Sequence, residues 1–392
     1  MQFGPRKYEY DDIGNRCSVV DETTDSDSYE INRNGSEKIQ AKGKKVKGNG
    51  VQKLPFIIAL IFSCCALAVA FGASFVIGRY NNIGIGKVLG VLFKQIFPSI
   101  ETTWTPIEEA VVLKLRLPRI ISSCFVGAAL SVSGLAFQML FSNPMASADT
   151  LGVSSGSGLG ACFGILIGVG TYMISIFAFI IGCATVLLTY IIAMSISRGK
   201  NATIFLVLTG LVISAFASSI ISIIKYIADP QDQLPEIVYW LMGSFASVKI
   251  TSFYIFLICF LIGIVPIALL SWKINILSVS DIEAKSMGVN INLLRTITIV
   301  CATLLTSSSI AIAGGIGWVG LVIPHISRLI AGNDFRKTLP LSAVIGALYL
   351  LIMDDLARSI SAGEIPIGIL TALIGAPVFF AILIKQRKRL AL

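Results

Sequence analysis

Long apolar runs separated by short polar segments dominate the chain. Crossing a bilayer as a helix takes roughly 20 apolar residues, and the runs are continuous rather than alternating, so they predict helices. The predicted helices span residues 54–78, 118–141, 151–169, 171–197, 202–225, 237–270, 293–313, 316–330, 339–357 and 366–384. The run at 237–270 is taken as one long helix with a soft middle around Lys249. The pattern predicts an all-α integral membrane protein with ten transmembrane helices.

The first 53 residues differ from the rest. Residues 1–53 are polar, without helical periodicity, so they predict a disordered tail, and residues 54–392 predict one ten-helix transmembrane domain. Lysines between Lys38 and Lys53 lead into the first apolar run. Because cytoplasmic segments carry an excess of Lys and Arg, this helix should run from inside to outside. Ten spans then place the tail and the basic C-terminal segment in the cytoplasm.

Composition supports a membrane protein and excludes several other classes. Only 14% of the 392 residues are charged, whereas soluble domains carry about a quarter. The net charge of +9 is concentrated at the ends of the apolar runs, which argues against nucleic-acid binding. With one histidine and no Cys-x-x-Cys pair, a metal site of Cys and His is not expected. No Gly-x-x-x-x-Gly-Lys-Ser/Thr sequence is present, so the chain is not expected to bind ATP in that manner.

Small residues recur at helical spacing in two of the runs. In the third run Gly152, Gly156 and Gly160 begin a series that continues every four residues to Gly168. In the fifth, Gly210 is followed by Ser214, Ser218 and Ser222. Small residues at this spacing let helix backbones approach closely. The serines could alternatively line a polar translocation path.

Two motifs suggest chemistry that their context disfavours. The segment GIGWVG at 315–320 matches a dinucleotide-binding fingerprint, but it lies between two membrane runs rather than in a βαβ unit, so a turn between helices is the better interpretation. His325 could act as a proton relay. Pro324 precedes it and Arg328 follows one turn later, so a structural position at the inner end of a helix is preferred.

Charged residues near the ends of runs suggest interaction sites. Asp354 and Arg358 have the favourable i, i+4 order for a helical ion pair, and Asp355 has no obvious partner on that face. Arg116 and Arg119 lie on the outer side, against the positive-inside trend, and exposed arginines there would suit carboxylates of a partner.

The inner segment 278–292 predicts a short, well-defined helix. Ser280 and Glu283 form a capping box, and Gly288 suits a left-handed C-cap. A helix so clearly delimited between two spans predicts a docking site for a cytoplasmic partner.

Four segments together resemble one family. They are LRLPRIISSCFVGAALSVSGLAFQMLFSNPMASADTLGVSSGSGLGA (115–161), YWLMGSFASV (239–248), GGIGWVGLVIPHISRLIAGNDFRKTLPLSAVIGALYLLIMDDLARS (314–359) and EIPIGILTALIGAPVFF (364–380). They resemble the FecCD/BtuC-type permeases of ABC importers for iron-siderophore complexes, haem and cobalamin. Departures from the family pattern are Ala148, Thr150 and Asp355.

The resemblance implies a BtuC-like permease fold in the bacterial cytoplasmic membrane. It implies a homodimer or a pair with a homologous permease, two cytoplasmic ABC ATPases that use ATP and Mg, and an extracytoplasmic substrate-binding protein. The chain itself would be no enzyme and would bind no cofactor or metal. The expected cargo is a ferric siderophore; cobalamin, haem, or an ion-gradient-driven secondary transporter remain the alternatives.

The resemblance also implies roles for individual residues. Arg116, Arg119 and Arg358 would meet glutamates of the binding protein. The helix at 281–287 would couple to the ATPase; the residues assigned to this coupling are Ser280, Asp281, Glu283, Lys285 and Gly288.

Overall fold

The computed structural model describes residues 7–10, 16–20, 56–78, 83–99, 101–197, 202–277, 288–361 and 363–390. The chain divides into two units, Met1–Val51 and Gln52–Leu392. In the first unit, strand β1 (Lys7–Tyr10) pairs antiparallel with β2 (Arg16–Val20). The rest of the predicted disordered tail lies outside the described residues.

The described part of the second unit consists of helices and the connections between them. Its helices are α1 (Phe56–Ser74), α2 (Ile85–Lys94), α3 (Pro106–Ala110), α4 (Leu117–Leu140), α5 (Val153–Leu166), α6 (Thr171–Ser197), α7 (Ala202–Ile227), α8 (Gln233–Met242), α9 (Ile250–Leu269), α10 (Ser271–Ile276), α11 (Ile291–Ala313), α12 (Val319–Ala331), α13 (Phe335–Ser359) and α14 (Ile367–Leu390). A turn of π-helix, Val111–Arg116, joins α3 to α4, and a short 3-10 turn, Ala148–Leu151, precedes α5.

The predicted ten-helix membrane architecture is confirmed. Within the described residues, seven helices are long and apolar enough to cross a membrane: α1, α4 with its preceding turns, α6, α7, α9, α11 and α13. Three shorter apolar helices, α5, α12 and α14, complete the ten. Each of these ten helices overlaps one predicted run.

One predicted boundary is wrong. The run at 237–270 is two helices, α8 and α9, because Gly243 has a φ of +74° and ends α8. The Gly243 carbonyl accepts a hydrogen bond from the Ile367 backbone N–H at 2.9 Å, and a side chain on Gly243 would lie 2.6 Å from the Gly315 carbonyl oxygen. The apolar composition on both sides of the break hid it from a hydropathy argument.

Helix α4 forms the centre of the second unit. In its membrane-spanning window 89% of the residues are buried, against 6% for α1 at the periphery. It packs against α11, α12 and α13. At two crossings the backbones nearly touch: a Cβ on Gly127 would lie 2.2 Å from the Gly346 carbonyl oxygen, and one on Gly134 would lie 1.9 Å from that of Gly320. Such close approaches stabilise helix packing inside a membrane, where the hydrophobic effect does not drive helices together.

Candidate functional site

A cluster of buried ionic side chains joins the ends of α1, α4 and α13. Arg116 is the last residue of the π-helical turn, and Arg119 lies in the first turn of α4. Pro118 has no N–H for the helical ladder, which explains why the helix is irregular just before it. Arg358 comes from the last turn of α13. We call Arg116, Arg119, Arg358 and their carboxylate partners the arginine cluster.

Arg119 uses two edges of its guanidinium group. Its Nε donates to both carboxylate oxygens of Asp354, at 2.9 and 3.0 Å. Its Nη1 donates to both oxygens of Glu364, at 2.9 Å each. Asp354 is fully buried, whereas the Glu364 side chain is 27% exposed. The paired geometry fixes the guanidinium plane between α13 and the segment that follows it.

Arg358 links α13 to α1. It lies 3.7 Å from Asp354, which confirms the predicted i, i+4 ion pair, and its Nη2 donates to Asp355 and, at 2.7 Å, to the Ser74 carbonyl. The expectation that Asp355 has no obvious partner on that face is wrong, because Arg358 of the same helix pairs with it, and the Ser74 hydroxyl also donates to Asp355, at 2.5 Å. Arg116 donates to the carbonyl of Phe75.

The arginine cluster is buried rather than exposed. Arg116, Arg119 and Arg358 are 5%, 8% and 5% exposed, so the expectation of freely exposed arginines is wrong. The physical reason is that three carboxylates inside the chain neutralise Arg119 and Arg358, as buried charges require, while Arg116 donates to the Phe75 carbonyl. Access is kept through a pocket of about 330 Å³, whose polar lining is made by the three arginines and Glu364. The pocket presents guanidinium groups, and one carboxylate of the chain, that of Glu364, lies at its lining.

Sequence reasoning missed Glu364 and Ser74. Glu364 stands ahead of the apolar run 366–384 and Ser74 ends α1, far from Arg119 in sequence. Glu364 could have been found from the sequence, because it is an acidic residue beside a predicted span, on the side of the membrane where Arg116 and Arg119 had no predicted counter-charge. Ser74 carried no such signal.

The predicted coupling helix lies mostly outside the described residues. Ser280, Asp281, Glu283 and Lys285 are not described, and their assignment stays a prediction. Gly288 has a φ of +73°, the left-handed conformation that a C-cap glycine adopts.

The glycine stripe packs α5 against α6. A Cβ on Gly156 would lie 2.2 Å from the Thr185 hydroxyl oxygen, and one on Gly160 would lie 2.3 Å from the Phe177 carbonyl. Gly152 has a φ of +83° and joins the 3-10 turn to α5. The stripe ends earlier than predicted, because Gly168 follows α5 in a left-handed conformation with open space around it.

The serines of α7 differ from one another. Ser214 is half-buried, and its hydroxyl lies 3.5 Å from the Asp149 carbonyl, at the limit of a hydrogen bond. Ser218 is exposed, and its carbonyl accepts a bond from Ser222 within the same helix. A translocation role for either serine stays a prediction.

The two disfavoured motifs have structural positions. The first four residues of GIGWVG lie in the irregular link between α11 and α12, as predicted, and its last two, Val319 and Gly320, begin α12. His325 lies inside α12 rather than at its end, 4% exposed and edge-on to Phe379, with ring centroids 6.0 Å apart. Arg328 donates to Gln138 on α4. His325 is therefore part of the packing between α12 and α14.

Metal ligands are not clustered in the part of the chain that the structure describes. Among those residues, no group of three or more His, Cys, Asp or Glu side chains could hold a metal ion. Seven cysteines there are free thiols, two of them buried.

A family model and two relatives of known sequence each match most of this chain. Residues 57–385 match the model of the FecCD transport family. The molybdate import system permease protein MolB of Haemophilus influenzae is 37% identical over 312 residues, which cover 80% of this chain and 91% of MolB. A Helicobacter pylori protein named "Probable iron chelatin transport system permease protein" is 39% identical over 278 residues, 71% of this chain and 83% of its own length.

A solved structure extends the likeness to three dimensions. It is described as an inward-facing conformation of an ABC transporter of the metal-chelate type. Its sequence is 36% identical, and it superposes with a TM-score of 0.74 over 84% of this chain and 99% of its own. The chain therefore belongs to the FecCD transport family and is a multi-pass membrane permease of the ABC importer type.

Proposed function

We propose that this permease imports a chelated iron compound, a ferric siderophore, which an extracytoplasmic binding protein delivers. The observation that carries the proposal is the arginine-lined pocket at the ends of α4 and α13, because it presents guanidinium groups suited to a partner's carboxylates. The metal-chelate transporter, which this chain matches over nearly all of that protein's length, supports the cargo class.

The energy would come from two cytoplasmic ABC ATPases. They would dock on the segment 280–288, where the sequence predicts a capped helix, and ATP-driven movement of that helix would switch the pore between outward and inward openings. The working unit would contain two permease chains in the bacterial cytoplasmic membrane, with both termini of this chain inside. The permease itself would bind no cofactor and no bare metal ion.

Molybdate is a second candidate cargo. It is favoured by one observation, the 37% identity to MolB over nearly the whole of MolB. The two candidates differ chemically, since molybdate is a small oxyanion and a ferric siderophore is a bulky chelate.

One experiment tests the partners and the cargo together. The chain is purified in mild detergent from its native membranes, and the co-purifying proteins are identified by mass. We expect a stoichiometric ATPase, lost when residues 280–288 are replaced by a Gly-Ser linker, and a binding protein. The binding protein is then titrated with ferric hydroxamate, ferric catecholate, haem, cobalamin and molybdate. Binding of molybdate alone would contradict the iron proposal, and purification of the chain without an ATPase would contradict the importer assembly.

A further inference from the structure

The two carboxylates on Arg119 differ in whether they can leave. Asp354 is fully buried and also faces Arg358, so its departure would remove a counter-charge from two buried guanidinium groups at once. Glu364 has a side chain that is 27% exposed and borders the pocket. Glu364 is therefore the carboxylate that can exchange with one supplied from outside.

The charge balance of the arginine cluster favours exchange over addition. Two of its arginines, Arg119 and Arg358, already face three carboxylates, those of Asp354, Asp355 and Glu364. A fourth carboxylate added to this site would bring like charges together in a half-buried pocket, which raises the free energy. Replacing Glu364 one for one on the Arg119 Nη1 edge keeps the balance and the paired hydrogen bonds.

The position of Glu364 in the chain gives its exchange a consequence. Glu364 lies in the short connection between α13 and α14. Next to it, the Ile365 N–H donates to the Ala357 carbonyl at 3.1 Å, and the Ile367 N–H donates to the Gly243 carbonyl at 2.9 Å. The Glu364 side chain thus tethers the start of α14 to α4, beside the break between α8 and α9.

We propose that Glu364 occupies Arg119 while no binding protein is docked, and that a docking carboxylate displaces it and frees the segment that begins α14. The identity of the docking partner rests on the proposed function, whereas the exchange is a property of this chain alone. Glu364 is therefore a positioning residue: when docking at the pocket displaces it from Arg119, the start of α14 loses its tether to α4.

The test compares three variants of the full chain in detergent. Glu364→Gln removes the charge at nearly constant size, Glu364→Asp keeps the charge, and Glu236→Gln is a matched control at an exposed site on α8. The first readout is modification of Arg119 by phenylglyoxal, followed by peptide mass spectrometry. The second is hydrogen exchange at the amides of Ile365 and Ile367.

We expect modification of Arg119 to be about tenfold faster in Glu364→Gln, the ratio that a lost charged contact of modest strength produces. Acetate, a free carboxylate, should restore protection, and the two amides should exchange faster. The Glu364→Asp variant should stay near wild type, which a role in bulk packing alone would not predict. Equal modification in Glu364→Gln and Glu236→Gln would overturn the proposal.

A separate arm uses the binding protein that co-purifies with the chain. Its Kd for Glu364→Gln should be about tenfold lower than for wild type, because no internal carboxylate competes. An unchanged or higher Kd overturns the proposal. If no binding protein co-purifies with wild type or with the variants, that result counts against the proposed function. The rate of Arg119 modification still decides whether Glu364 occupies that arginine.

Discussion

Asp354 is the carboxylate on which the arginine cluster depends most. It is fully buried, lies 2.9 and 3.0 Å from Arg119 Nε, and is 3.7 Å from Arg358. Asp354→Asn keeps the shape and removes the charge, which leaves two buried guanidinium groups sharing fewer counter-charges. Breaking a buried ion pair by removing one partner costs about 3–5 kcal/mol. We expect the free energy of unfolding to fall by that amount.

A double-mutant cycle separates the loss of the pair from the loss of packing. Asp354→Leu alone should be as damaging as Asp354→Asn, whereas Asp354→Leu combined with Arg119→Met should recover most of the stability, because an apolar replacement of both partners is often neutral. Glu364 would then lose its arginine, but its partial exposure lets water solvate it.

The assay is reversible unfolding in mixed micelles, followed by tryptophan fluorescence. Asp232→Asn is the matched control, since Asp232 is exposed and makes no side-chain cap at α8. If Asp354→Asn costs no more than this control, or if the double variant is less stable than Asp354→Leu, the account of the cluster as an internally neutralised network is wrong.

Two further predictions concern packing and pH. Gly134→Ala should cost about 1–3 kcal/mol, because its Cβ would lie 1.9 Å from the Gly320 carbonyl oxygen, whereas Gly86→Ala meets nothing within 4 Å; equal melting temperatures would contradict this. Hydrogen bonding from Arg336 to Asp334 lowers the pKa of that carboxyl from 3.8 to about 2. Since the folded pKa is the lower one, Asp334 contributes stability above pH 4 that is lost as the pH falls toward 2. The melting temperature, measured at several pH values between 2 and 4, should fall less steeply with falling pH for Asp334→Asn than for wild type. Identical pH dependences would refute the assignment.

The helices were predictable because their cause is local. A run of roughly 20 apolar residues is by itself a signal for a membrane helix, and the i, i+4 pair of Asp354 and Arg358 follows from helix geometry alone. The link at GIGWVG was likewise marked by its own glycines.

The rest depended on contacts between distant parts of the chain. The break at Gly243 is held by the Ile367 N–H and by the close approach of Gly315, and neither is visible within the run 237–270. The partners of Arg119 and Asp355 come from other helices or from a connection, so the arginines could not be known from sequence to be buried. Charge placed against the positive-inside trend drew attention to Arg116 and Arg119 without showing which groups they contact.

Transport by the complex reconstituted in vesicles tests the central claim most directly. The complex that co-purifies with the chain is incorporated in vesicles, with the ATPases facing the medium and the binding protein enclosed. Transport of a radioactive ferric chelate out of the lumen is then followed. The account predicts that added ATP and Mg drive transport, that ionophores leave it intact, and that replacing Arg119 and Arg116 by glutamate abolishes it. Transport that needs an ion gradient and ignores ATP would contradict the account.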